Sequence, residues 1–109
     1  MAVRRDTFTI ASGGTTSNEI DFNGRSIGKL SIPAMTGTSI ALQEKNEAGN
    51  FVVIYDSSET AVTATAAAAA RIKKMSPSEM NLSGVVRLVS NGTEAEARTI
   101  YAYSDSFVN

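Results

Sequence analysis

Apolar and polar side chains alternate with a period of two in several short runs along the chain, most of them closed by turn residues. That spacing puts every second side chain on one face of an extended strand, so it predicts half-buried β-structure. In Thr7-Phe8-Thr9-Ile10, Phe8 and Ile10 share a face before Ser12-Gly13-Gly14 turns the chain. In 18–22, Ile20 and Phe22 point inward and Glu19 and Asp21 outward. Asn23-Gly24 supplies the two positive-φ positions of a type I′ turn, which predicts that 18–22 pairs with 25–32 as a hairpin. Gly28 marks a bulge that resets the phase between Ile27 and Leu30-Ser31-Ile32. Pro33 ends that strand, because it has no N–H to give to a ladder.

Alternation resumes over 39–44, with Ile40 and Leu42 inward, and Glu47-Ala48-Gly49-Asn50 turns the chain into Phe51-Val52-Val53-Ile54-Tyr55. That run is apolar throughout, which suits a strand covered on both faces and predicts the centre of the domain. Residues 56–60 form a polar turn and 61–65 a further strand. The alanines 66–70 leave two readings open: alanine is the best helix former, while the preceding Val-Thr-Ala-Thr favours extension. Ser76-Pro77-Ser78-Glu79 is a capping box with proline in the first helical position, and it predicts a short helical turn near 77–82 that Gly84 stops. Val85-Val86-Arg87-Leu88-Val89-Ser90 and Arg98-Thr99-Ile100-Tyr101-Ala102-Tyr103 read as a last hairpin around Asn91-Gly92, with Glu94 and Glu96 near its tip.

About eight strands at roughly ten-residue spacing predict an all-β fold, a β-sandwich or jelly roll. A single domain over 7–109 follows a short N-terminal arm, 1–6, because Arg4 and Arg5 belong to no core pattern.

Composition narrows the function. At 109 residues and 42% hydrophobic content, the chain holds one core. Ten basic against eleven acidic residues give a net charge of −1, which does not favour nucleic acid, whose binding rests on a surplus of Lys and Arg. Near-neutrality also eases close association with copies or partners. No run approaches the apolar length of a membrane span, and the first ten residues lack the apolar stretch of a signal peptide, so the expected site of synthesis is a cytosol.

The chain has no Cys and no His, which removes thiol chemistry and the usual base for a serine nucleophile. Catalytic residues, cofactors and metals are therefore not expected, and the protein is not expected to be an enzyme. Glu19, Asp21, Glu44, Asp56 or Glu59 would have to supply any carboxylate pair for glycoside hydrolysis, but Glu19 and Asp21 alternate with core positions and read as water-facing. Asp56-Ser57-Ser58-Glu59 lacks the dense ligand spacing of a calcium loop and reads as a turn. Gly13-Gly14 lacks the lysine of a phosphate loop. Arg71-Ile72-Lys73-Lys74 is the one basic cluster; it offers a contact for an acidic protein surface or nucleic acid, with a solvated connector as the favoured reading. Tyr101 and Tyr103, two apart, share a face of the last strand, as in cores, protein interfaces and sugar-binding faces.

Three runs carry a resemblance: 30–43 (Leu30-Ser31-Ile32-Pro33-Ala34-Met35-Thr36-Gly37 and onward), Gly49-Asn50-Phe51-Val52-Val53-Ile54-Tyr55-Asp56, and Gly84-Val85-Val86-Arg87-Leu88-Val89-Ser90-Asn91-Gly92-Thr93. Together they resemble small structural proteins of tailed bacteriophages, most of all the decoration, cement or staple proteins of short-tailed phage heads. The resemblance implies a jelly-roll-like domain, often a homodimer, on the outer capsid surface of the virion, bridging subunits of the major capsid protein. Its expected interface residues are Val3, Arg4 and Arg5 in the arm, Ala66, Ala68 and Ala70 where small side chains permit close approach, and Tyr101 and Tyr103 on the last hairpin. The alternatives are a carbohydrate-binding or tail-associated adhesion module, and a head–tail joining or tail-tube component.

Overall fold

A computed structural model describes residues 2–75 and 84–106. It contains strands β1 (Ala2–Ile10), β2 (Ile20–Asp21), β3 (Ser26–Ile32), β4 (Ser39–Lys45), β5 (Phe51–Val53), β6 (Thr63–Thr65), β7 (Arg71–Lys74), β8 (Val85–Ser90) and β9 (Arg98–Ser106). No helix occurs among the described residues, and the turn predicted near 77–82 lies outside them.

The strands pair in a nested way: β1 with β9, β2 with β8, β3 with β7 and β4 with β5, all antiparallel. The chain is in effect one long hairpin wound into two sheets, ordered β1-β9-β3-β7 and β2-β8-β4-β5, with β6 beside β4. This is a jelly roll, a β-sandwich in which most turns carry the chain from one sheet to the other.

Alternation identified the inward faces of β1, β3 and β4, and the structure adds those of β8 and β9. Phe8, Ile10, Ile27, Leu30, Ile32 and Ile100 from one sheet meet Ile40, Leu42, Val86 and Leu88 from the other, all essentially inaccessible to water. Burial of each such side chain is worth about 1.5–3 kcal/mol, which is what presses the sheets together. Phe8 and Phe22 bring their ring centres within 6.0 Å. The bulge expected at Gly28 is present as a register shift between Ile27 and Lys29.

Partner choice differs from the sequence reading at several points. Asn23 (φ 48) and Gly24 (φ 83) do form the turn, with Arg25 N–H donating to Phe22 O at 2.9 Å. Yet β2 pairs with β8, and β3 pairs with β9 and β7, so the turn is a corner between sheets and not the tip of a hairpin. Likewise β8 and β9 lie in different sheets, and Asn91-Gly92 belongs to another corner. The apolar run 51–55 is not central: β5 is an edge strand, and Val52, Val53 and Tyr55 are exposed. From Ala2 onward the segment expected as an arm is the first half of β1, paired residue by residue with β9. Arg71–Lys74, expected as a connector, is the edge strand β7. The alanines 66–70 are irregular, in line with the extended reading.

Glu94, expected near an exposed tip, is completely buried at the end of the sandwich where three corners meet. Its Oε1 accepts from Thr36 N–H and Arg98 Nε, both at 2.9 Å. Its Oε2 accepts from Gly37 N–H at 2.9 Å and the Ser90 hydroxyl at 2.8 Å. Its main chain joins the β1–β2 corner, with Gly13 N–H donating to Glu94 O and Glu94 N–H to Gly14 O. Gly37 makes this approach possible, since a Cβ there would run into Ser90 Oγ. Asn91 Oδ1 adds bonds from Thr38 and Ser39 N–H. At the other end Arg25 Nη1 lies 2.7 Å from Asp6 Oδ2 and 2.6 Å from Ser104 Oγ, and Nη2 reaches Asp21 O, tying the β2–β3 corner to β1 and β9.

Burial desolvates the Glu94 carboxylate and by itself raises its pKa. The Thr36 and Gly37 N–H groups, the Ser90 hydroxyl and the Arg98 guanidinium outweigh that effect and hold it at about 2, against an ordinary 4.5. The unfolded chain therefore takes up this proton first. The stabilisation from Glu94 is full above pH 4.5 and is lost as pH falls toward 2. Glu94→Ala is expected to cost about 3–5 kcal/mol in urea denaturation at neutral pH, as loss of one partner of a buried ion pair does. The acid-induced loss of stability between pH 4.5 and 2 is expected to shrink in Glu94→Gln, and an unchanged acid profile would contradict the assignment.

Candidate interaction surface

Pairing and alternation fix what each outer face presents. On the outer face of the β1-β9-β3-β7 sheet, Arg5 stands opposite Tyr103, and Tyr103 opposite Lys29. The Arg5 guanidinium lies 4.7 Å from the centre of the Tyr101 ring, and Lys29 Nζ 4.8 Å from that of Tyr103. Both tyrosines are half-buried. The structure thus brings three of the expected interface residues, Arg5, Tyr101 and Tyr103, onto one surface. Arg4 is exposed and paired with Asp6 at 3.2 Å, and Val3 stands opposite Asp105 in the ladder.

The alanines divide. Ala66 is buried in the core, whereas Ala68 and Ala70 are exposed on the crossing from β6 to β7. That crossing belongs to the opposite flank of the sandwich, because β1 and β7 are the two edges of their sheet.

The carboxylates weighed for chemistry have local employment. Glu19 pairs with Lys45 at 3.3 Å. Asp21 Oδ1 accepts from Asn23 N–H. Asp56 Oδ1 accepts from Ser58 and Thr60 N–H at 2.8 and 3.0 Å, closing its own turn. Glu44 is half-buried on β4, opposite Val52 and Val86. Glu59 is exposed at a positive φ of 61°. Among the described residues no three acidic side chains cluster in a way that would hold a metal ion.

What the sequence reading missed is the set of exposed apolar side chains on β5 and β7, on the same flank as the alanine crossing it expected at an interface. The exposed large hydrophobic side chains among the described residues are Val52 (45%), Val53 (36%), Tyr55 (63%) and Ile72 (61%). All four lie on or immediately after the edge strands β5 and β7. Phe51 beside them is half-buried, its ring covered by Arg87 at 4.2 Å and Lys45 at 5.3 Å. The signal was present in the run 51–55, whose apolar residues on both faces fit two situations: burial on both sides within the chain, or an edge awaiting a partner.

No protein-family model matches the chain, and no curated protein matches it in sequence. Among solved structures it is similar to the crystal structure of SPBc2 prophage-derived protein YomS, with a TM-score of 0.52 and 10% identity. The match covers 97% of this chain and 96% of that one, so the likeness is one of the whole fold.

Because Val53 and Tyr55 face solvent in the isolated chain, Val53→Ser and Tyr55→Ser are expected to change the free energy of unfolding by no more than about 0.5 kcal/mol each, as for surface positions generally. A loss of several times that in urea titration would mean that these side chains pack within the chain, and would remove them from the candidate surface.

Proposed function

We propose that this chain is a virion structural protein of a tailed bacteriophage, which decorates and stabilises the capsid by bridging subunits of the major capsid protein. The observation that carries the reading is the placement of the exposed apolar side chains, Val52, Val53, Tyr55 and Ile72, along one flank of an otherwise well-buried jelly roll. Exposed apolar side chains gathered on the edge strands of one flank suit a protein that works through contact. The whole-length likeness to a prophage-derived protein supports the phage setting, as do the sequence runs that resemble head proteins.

A cement protein acts by mass action. It binds the assembled lattice and not the free subunit, so the equilibrium moves toward the intact shell. Contact with two subunits at once adds avidity beyond either contact alone. The outer face bearing Arg5, Tyr101 and Tyr103 continues across β3 to Ile72 and Lys74 of β7, and it offers a further contact beside that flank, either to another capsid subunit or to a second copy. A sugar-binding role for this face is less well supported, since Arg5 and Lys29 already stack on the rings that a sugar would need.

The decisive measurement is the copy number of this chain on purified heads. Many copies per head are expected, and Val53→Asp with Tyr55→Ser should lower that occupancy while the heads still assemble. Heads that carry none of the protein would sink the reading.

A further inference from the structure

Between the edge strands of the two sheets runs a groove of about 200 Å³, lined by Thr63 and Thr65 of β6 and by Arg71, Ile72, Lys73 and Lys74 of β7. Among the described residues that line it, Arg71, Lys73 and Lys74 are cationic and none is acidic. Two threonine hydroxyls add donors on the facing wall. Arg71 Nη1 reaches across to Thr65 O at 3.5 Å, so a cation spans the groove from one sheet to the other.

The main chain of β7 is presented in the same place. In an antiparallel ladder, alternate residues turn their N–H and C=O toward the partner strand. Met75 N–H donates to Gly28 O at 3.0 Å, and the register continues through Lys73 opposite Leu30 and Arg71 opposite Ile32. Arg71 and Lys73 therefore face β3 with their main chain, while Ile72 and Lys74 turn theirs away from it. Among the described residues no strand lies beyond β7.

We propose that this edge receives an acidic, extended segment of a partner protein, added as a further strand alongside β7 with its apolar side chains beside Ile72 and its carboxylates on the opposite face, toward Arg71. The proposal rests on the reading that the β5–β7 flank is a contact surface, and it names the chemistry of what is contacted. Lysines and arginines on an edge ordinarily keep other strands away. Here the same charges exclude basic and neutral strands but attract an acidic one, which makes them a selectivity device. The exposed Ile72 fits this use, because a purely protective edge gains nothing from a large aliphatic side chain at its middle, whereas an added strand would cover it.

Fluorescence anisotropy with a labelled short peptide of alternating glutamate and valine tests the idea on the intact chain. Binding is expected for this peptide, with NMR shift changes confined to 63–74 and their neighbours on β3. A peptide alternating lysine and valine should not bind, nor should the acidic peptide carrying a central proline, which cannot complete the ladder. Arg71→Glu should weaken binding by about tenfold or more, the equivalent of 1.4 kcal/mol, and added salt should act in the same direction. Equal binding of the lysine peptide or of the proline peptide, shift changes elsewhere, or no binding at millimolar peptide would overturn the proposal. The peptide arms need no variant to fold, and they contain no virion. Failure here and absence from phage heads are thus separate results.

Discussion

One buried carboxylate holds the corners of this fold in place. In a jelly roll the ladders within each sheet do not by themselves fix how the sheets are joined, because the joining is done by turns that leave one sheet and enter the other. At one end of the molecule three such turns converge on Glu94, which accepts hydrogen bonds from the β3–β4 corner at Thr36 and Gly37 and from Ser90 and Arg98 on the strands flanking its own corner. A carboxylate stripped of water is very costly unless every lone pair is used. Four donors meet that requirement, and they hold the group ionised. The same demand makes the arrangement specific: any corner that fails to arrive leaves a buried charge short of a partner. Arg25 does the corresponding work at the other end, through Asp6, Ser104 and the carbonyl of Asp21.

The nested pairing explains which features could be read in the sequence and which could not. Alternation is a local property, so the inward faces of β1, β3 and β4 were legible from single runs. The turn at Asn23-Gly24 was legible too, since positive φ is a demand on those two residues alone. Pairing is not local. A type I′ turn favours a hairpin only when both flanking strands are long enough to form a ladder, and β2 has just two residues, both of which pair with β8 some 65 positions away, as Ile20 with Val86 shows. Glu94 was misplaced for the same reason. Its partners at Thr36 and Gly37 lie 58 and 57 residues away, and nothing in Asn-Gly-Thr-Glu distinguishes a buried ligand of distant amides from a charged loop tip.

The surface residues were less legible than the core. That Tyr101 and Tyr103 share a strand face was recoverable from their spacing, whereas the place of Arg5 beside them was not, because it depends on the expected arm pairing with β9 as part of β1. Ala66 was not, because an alanine run carries no alternation to separate buried from exposed members, and the structure buries Ala66 while exposing Ala68 and Ala70. The apolar run 51–55 gave the right composition and the wrong place. Hydrophobicity on both faces of a strand records that something covers it, without saying whether the cover belongs to the same chain.

The two flanks of the sandwich answer that question differently. Beside β1, the side chain of Asn18 caps the open edge, donating to Thr7 O and accepting from Thr9 N–H, and Ser17 bridges to Ile10. These contacts cover the second half of the edge with this chain's own groups. Beside β5 and β7 the described residues offer no such cover: valine, tyrosine and isoleucine side chains face water, and the charged residues next to them are of one sign on β7. Both flanks were under the same physical pressure, since an open strand edge invites pairing with other chains. The contrast between an edge capped by an asparagine and an edge that leaves apolar side chains in water is the physical ground on which the proposed contact with another protein rests.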